Sequence, residues 1–281
     1  MEEMGHEEHQ RLVTVTALRD LFKDTMTFGD VIAPRGMEIR EIRDAQVVVN
    51  PNYPFQDFVA RGYNVDYFKH EMRWKLGASK YDDSIKKHAK MWESVQNPDG
   101  TFNSNYGQFW FGQQQGLFKA VMELIRDVDS RRASIPMLTD AHLSPETKDT
   151  VCTEAVTFHI RHNTLHMSVH MRSSDQVFGL GTDIPTFSVL MMLAHGMLRG
   201  TYPLLAVGQI VITAASSHIY DRHYSMVTKI INEDTTQLEP RALPQCSGTG
   251  EALAIIADRG RTEKRLPYEN WELYRFIYGQ A

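Results

Sequence analysis

Cys152, in the segment VCTEAVTF, has the chemistry of a nucleophile. A thiol attacks as the thiolate, which a neighbouring positive charge favours. Arg172 stands twenty positions on, and a hairpin between the two segments would fold it back towards the sulfur. The same cysteine buried in a strand would be a small hydrophobe. Ser130, Arg131 and Arg132 in DVDSRRAS, and Arg172 with Ser173, set guanidinium forks beside hydroxyls, and Arg35 in APRG is a weaker candidate of the same kind. That donor set suits a phosphate dianion, although surface arginines in loops would read alike. Glu71 has Tyr67, Phe68 and Trp74 at helical spacing around it. A carboxyl on an aromatic face is poorly solvated, which raises its pKa and suits it to proton transfer near neutrality. A glutamate at an amphipathic boundary would share that spacing. His218 and Tyr220 in SSHIYDRH could hydrogen-bond a sugar or cap a helix.

These residues need elements to carry them. Thr16 to Thr25 reads as a short helix, and Met37 to Asn50 as a strand. Asn64 could cap a helix running to about Leu76, which would hold Glu71. A second helix is expected over Ser84 to Gln96, ending at the turn NPDG, and a third over Gln115 to Val128. Val151 to Arg161 and Leu165 to Arg172 form a hairpin around HNT. In its second strand Leu165, Met167, Val169 and Met171 face one way, and His166, Ser168, His170 and Arg172 the other. Phe187 to Leu198 reads as a buried helix and Leu204 to Ala215 as a buried strand, with a further helix near His218. Helices and strands interleave without a βαβ rhythm, so the expected class is α+β, helices packed on a mixed β-sheet. The glycine pairs in FGLGTD and SGTGEA lack the context of a dinucleotide loop.

The chain has 281 residues, 42% of them hydrophobic, and no long linker or repeat. The expectation is one domain over residues 1–281, with 1–12 a flexible tail. A formal net charge of −5 argues against a broad nucleic-acid footprint but leaves room for a small anionic substrate held by local arginines. No apolar run approaches a membrane span. The start, MEEMGHEEHQ, lacks signal-peptide regions, and two cysteines give no disulfide framework, so a reducing cytoplasm is expected. His6 and His9 have metal-ligand types but lie in the expected tail, and no metal site is expected.

Taken together, these motifs resemble the thymidylate synthase superfamily. Its nucleophilic cysteine matches Cys152. Its arginine-serine-x-aspartate motif, twenty positions later, matches Arg172, Ser173 and Asp175. Its serine-arginine-arginine matches Ser130, Arg131 and Arg132. Its ribose-holding histidine-x-tyrosine matches His218 and Tyr220. The helical glutamate matches Glu71 in HEMRW, the folate-side tryptophan Trp92, and the tyrosine-glycine motif Tyr106 and Gly107. Segments such as FNSNYG, DSRR and HMRSSDQVFG resemble the phage deoxycytidylate hydroxymethylase branch more than a thymidylate synthase. The likeness runs roughly from Pro34 to Val227 and leaves the region after Ile231 unexplained.

The chain departs from the synthases at three places. Asp183, eleven positions after Arg172, stands where they carry a base-reading asparagine. Thr157 replaces a common glutamine, and the C-terminus FIYGQA differs from the usual tail. The resemblance implies a homodimer through the sheet, with Arg131 and Arg132 reaching into the partner's site. It implies 5,10-methylenetetrahydrofolate as cofactor and a nucleotide monophosphate, dCMP, as substrate, with no membrane or nucleic-acid partner. Cys152, Glu71 and Asp183 would be catalytic. Arg35, Arg131, Arg132, Arg172 and Ser173 would bind phosphate, His218 and Tyr220 the sugar. Trp92, Tyr106 and Asp175 would lie on the base or folate side. A methylase on the same fold, a CMP hydroxymethylase and a non-catalytic RNA- or protein-binding relative are the alternatives.

Overall fold

The computed structural model describes residues 6–259 and 268–279. In chain order run α1 (His6–Phe28), β1 (Asp30–Ile32), β2 (Ile39–Val49), α2 (Val65–Gly77), α3 (Met91–Val95), α4 (Gly107–Trp110), α5 (Gly116–Arg126), β3 (Ser134–Pro136), β4 (Thr153–Arg161) and β5 (Thr164–Met171). They are followed by β6 (Ser174–Asp175), α6 (Gly179–Leu198), β7 (Ala206–Tyr220), α7 (Tyr224–Ile231), α8 (Thr249–Ala257) and α9 (Glu272–Tyr278). The class is α+β, as the interleaved patterns require. No helix among the described residues is long and apolar enough to cross a membrane.

The chain forms two compact units, each discontinuous in sequence, which is why no linker marks them. The first combines the residues up to Asn64 with Ser168–Val189 and Gly208–Leu243; the second combines Val65–Met167, Leu190–Val207 and the residues from Pro244 on. In the first, β2 pairs antiparallel with β1 and with β7, placing Ile39 opposite Tyr220 and Glu41 opposite His218. On the other side of β7, β6 runs parallel, with Asp175 also opposite His218. Helix α1 packs on β2 and α7. In the second, β4 pairs with β3 and with β5. The β4–β5 hairpin closes through His162 and Asn163 at φ 49° and 55°, the left-handed pair that a two-residue turn demands. The side-chain alternation is as the sequence predicts: Leu165, Met167, Val169 and Met171 are all buried.

Four expectations need correction. The first helix is not short: it begins at His6, so residues 6–12 of the expected tail are helical. Leu12, Val15, Leu18 and Phe22 extend a buried stripe backward and hold that turn down. The helix expected over Ser84–Gln96 is a 3-10 turn (Ser84–Lys87) and the separate α3. The run KKHAK has too little apolar surface to anchor the turn between them. His88 instead stacks on His70 of α2, ring centroids 3.7 Å apart. Helix α6 starts at Gly179, not Phe187. Pro185 lies inside it, in its second turn, at the cost of one intrahelical hydrogen bond. Strand β7 continues to Tyr220, where a helix was expected near His218. The polar run SSHIY resembles a strand end, yet partners on both sides extend its ladder.

Candidate functional site

Helix α2 presents Glu71 at 5% exposure, buried as expected, but not as an isolated carboxyl. Lys75, one turn later and 2% exposed, places Nζ 2.7 Å from Glu71 Oε1. The pairing follows from i,i+4 spacing on one helix face. Lys75 Nζ also lies 5.0 Å from the Tyr106 ring centroid, so two expected site residues meet on a cation the motif reading passed over. Gly107 explains the tyrosine-glycine pair: a Cβ there would stand 1.5 Å from the Lys75 carbonyl oxygen. Only glycine lets the backbone press so closely onto α2. Asn105 Nδ2 seals the contact by donating to Trp74 O and Ser79 O at 3.1 Å. Trp92 sits in an aromatic cluster with Trp74, 5.0 Å away, and Phe102, 5.9 Å away, and its Nε1 donates to the Tyr67 hydroxyl.

Cys152 is a free cysteine immediately before β4 rather than inside it, half-buried, with Sγ 3.9 Å from Thr150 O. The approach to it is held from outside. Asn97 Oδ1 accepts the main-chain N–H groups of Lys148 and Asp149 at 2.9 and 3.0 Å, and Asn103 Nδ2 donates to Asp149 O. The Asp149 carboxylate takes the N–H of Ser104 at 2.8 Å and its hydroxyl. The NPDG turn and the FNSNYG segment therefore brace the nucleophile's loop. Thr157 Oγ1 donates to Ser134 Oγ across β3 and β4 at 3.0 Å.

The serine-arginine-arginine turn differs from the expected phosphate clamp in one respect. The Ser130 hydroxyl is committed: it donates to Glu123 Oε1 at 2.6 Å and accepts from the main-chain N–H of Arg132 at 3.1 Å. Arg126 forks onto the same carboxylate. These hydrogen bonds, Arg126 first and then Ser130, hold the Glu123 carboxyl below its usual range. Arg131 and Arg132 are left exposed on a turn shaped by buried Ser130.

In the first unit, the ladder gathers the rest of the expected set around the end of β7. Asp175 and Glu41 flank His218 from β6 and β2, and Arg35 is near enough to act on its charge. Arg35 occupies a left-handed conformation (φ 55°) in the exposed turn before β2. The main-chain oxygen of Arg172 accepts from Ser216 N at 3.2 Å, which runs Arg172, Ser173 and Ser174 alongside β7. Burial pushes the His218 pKa down, with Asp175 and Glu41 opposing. Its Nδ1 is buried without a hydrogen-bond partner among the described residues, and Tyr220 meets its ring edge-on at 5.1 Å. His223, absent from the expected set, is buried beside them, its ring 4.9 Å from Phe178 and its pKa also lowered by burial. Its signal in the sequence was only its position three residues after Tyr220. Asp183 is half-buried in the second turn of α6.

The thymidylate synthase family model matches residues 19–249 of this chain. The chain is 25% identical over 236 residues to the deoxycytidylate 5-hydroxymethyltransferase of Enterobacteria phage T2, covering 78% of this chain and 96% of that one. It is 30% identical over 166 residues to the thymidylate synthase of Fusobacterium nucleatum, covering 58% of each. Over 231 residues it is 26% identical to the deoxyuridylate hydroxymethyltransferase of Bacillus phage SP01, covering 76% of this chain and 59% of that one.

Proposed function

We propose that this chain, which belongs to the thymidylate synthase family and is a one-carbon transferase, converts a cytosine nucleotide, dCMP, to its 5-hydroxymethyl derivative. The observation that carries the reading is the likeness to phage T2 deoxycytidylate 5-hydroxymethyltransferase over 96% of that enzyme's length. Bound methylenetetrahydrofolate would supply the carbon at the oxidation level of formaldehyde. The aromatic cluster is compatible with such a group: Trp92, itself buried and braced by Trp74 and Phe102, would border a pterin as a rigid apolar side chain.

The chain's own residues divide the remaining work. Carbon 5 of a pyrimidine is a poor nucleophile until carbon 6 is saturated, so the Cys152 thiolate adds at carbon 6. After carbon transfer, loss of the carbon 5 proton to a base and cleavage of the bond to the folate nitrogen, with release of tetrahydrofolate, would leave an exocyclic methylene on the nucleotide. Water adds to that methylene, its proton passes to Glu71, the ring double bond re-forms and the thiolate leaves. Arg35, Arg172 and Ser173 hold the phosphate, His218 and Tyr220 the sugar, and Asp183 the base, with Asp175 supporting the base side. Tyr106 closes the corner beside Glu71. Incubation with methylenetetrahydrofolate and dCMP, CMP or dUMP in turn is the test. The expected result is 5-hydroxymethyl-dCMP by mass spectrometry without the absorbance rise of dihydrofolate. Dihydrofolate formation would mean methylation instead. Turnover of dUMP alone would support the second reading, uracil hydroxymethylation, which the likeness to the phage SP01 enzyme favours.

The same reading places Arg131 and Arg132 in a partner's site, in a homodimer through the sheet. Their exposure on a braced turn supports this. Mixing inactive Arg132→Ala chains with inactive Cys152→Ala chains should restore activity, to about a quarter of the parent value if subunits exchange at random. The hybrid collects both defects in one site and leaves the other whole. No recovery after verified exchange would remove arginine donation.

A further inference from the structure

Lys75 has no role in the reaction described above. Its side chain is 2% exposed, and a buried lysine is kept only where a partner repays its desolvation. That partner is Glu71, at 2.7 Å. The main chain beneath the ammonium is also held in place, and an aromatic ring stands beside Nζ. Gly107 presses on the Lys75 carbonyl oxygen, Asn105 donates to the neighbouring Trp74 O, and the Tyr106 ring lies 5.0 Å from Nζ. The last turn of α2 is thus clamped from the segment that carries the tyrosine-glycine pair.

We propose that Lys75 is a positioning residue that acts through Glu71: its ammonium ties down Oε1, leaving Oε2 as the oxygen that accepts a proton from the water adding to the substrate. In that step the water oxygen bonds to the exocyclic carbon, and its proton goes to Oε2. The methylene electron pair re-forms the ring double bond between carbons 5 and 6, and the Cys152 thiolate departs from carbon 6. No oxidant or reductant is needed. A carboxylate anchored at one oxygen has one orientation, whereas an unanchored one would rotate and present the water with a poorly aimed acceptor. The inference rests on the hydroxymethylase reading.

Lys75→Met keeps the side-chain length and removes the charge. We expect kcat to fall about 100-fold, the scale of a misplaced general base, while KM for both substrates stays within about threefold. The covalent Cys152–nucleotide adduct should accumulate during turnover, visible by mass spectrometry of acid-quenched protein. A merely structural defect would not produce that build-up. The double variant Glu71→Gln/Lys75→Met leaves no buried unpaired charge and guards against a single variant that fails to fold. Its kcat should match that of Glu71→Gln alone within about threefold, because Lys75 acts only through the carboxylate. Losses that multiply in the double variant, or a folded Lys75→Met with kcat within about threefold of the parent, would overturn the proposal while leaving the hydroxymethylase reading intact. A parent enzyme that makes no hydroxymethyl product would overturn both.

Discussion

Replacing Cys152 by serine should abolish turnover, with a loss on the order of 10⁴-fold in kcat, while the variant folds and binds nucleotide. An alcohol is far less ionised than a thiol near neutrality, and the carbon–sulfur adduct has no other source in the proposed reaction. The replacement is nearly isosteric. The loop that carries it is braced at Lys148 and Asp149 by Asn97, Asn103 and Ser104. Steady-state kinetics, with a thermal melt to verify folding, is the measurement. The second cysteine is the internal control. Cys246 is 1% exposed, and burial pushes its thiol up to about 12, so it stays protonated and unreactive at neutral pH. It packs tightly, since a Cβ on Gly196 would come within 2.5 Å of its sulfur. Cys246→Ser should therefore keep full kcat and lose about 1 kcal/mol of stability at most, because its hydroxyl can still donate to Gly248 O. A Cys152→Ser enzyme with substantial activity would remove the covalent mechanism, and a dead Cys246→Ser would reassign the nucleophile.

Asp183→Asn should reverse the preference for the base. Uracil offers an acceptor oxygen and a donor ring N–H, which a side-chain amide matches with one donor and one acceptor. Cytosine reverses both, offering an amino donor and an accepting ring nitrogen. A protonated carboxyl meets that pattern directly. An ionised one meets it if the ring nitrogen takes up a proton. A site whose buried polar groups are mismatched rejects a ligand strongly, so kcat/KM for dCMP should fall by about 100-fold or more while that for dUMP rises. The fold supports the test. Asp183 lies in the second turn of α6, a helix whose following residues Ile184 to Ala194 are buried, so its backbone position is fixed and the substitution changes only the hydrogen-bonding pattern. Parallel kinetics on both nucleotides with parent and variant decide the matter. An unchanged preference would place base selection at another residue, and a parent that prefers dUMP would overturn the cytosine assignment.

Local patterns determined much of this molecule from the sequence. Alternation in LHMSVHM fixed which face of β5 is buried, because side chains on a strand alternate whatever the strand pairs with. Helical spacing placed Glu71 on α2, and the fixed intervals from Cys152 to Arg172 to Asp183 identified the family. Such intervals depend only on chain connectivity and survive without knowledge of packing. Tertiary structure decided what depends on residues far apart. Tyr220 is in a strand because Ile39 of β2 pairs with it, while β6 flanks β7 only as far as His218. His88 leaves the helical pattern because His70 gives its ring a surface to stack on. The Ser130 hydroxyl, in the sequence a ready phosphate donor, is taken by Glu123 seven positions earlier. Glu71 and Lys75 form an i,i+4 pair visible in the sequence, but an exposed pair of that spacing contributes little. Burial of both side chains, on a stretch of helix whose main chain Gly107 and Asn105 contact from a distant segment, makes the pair a fixed electrostatic feature of the site. The dielectric around a charge is set by whatever packs over it, and that is a property of the folded chain rather than of any local stretch of it.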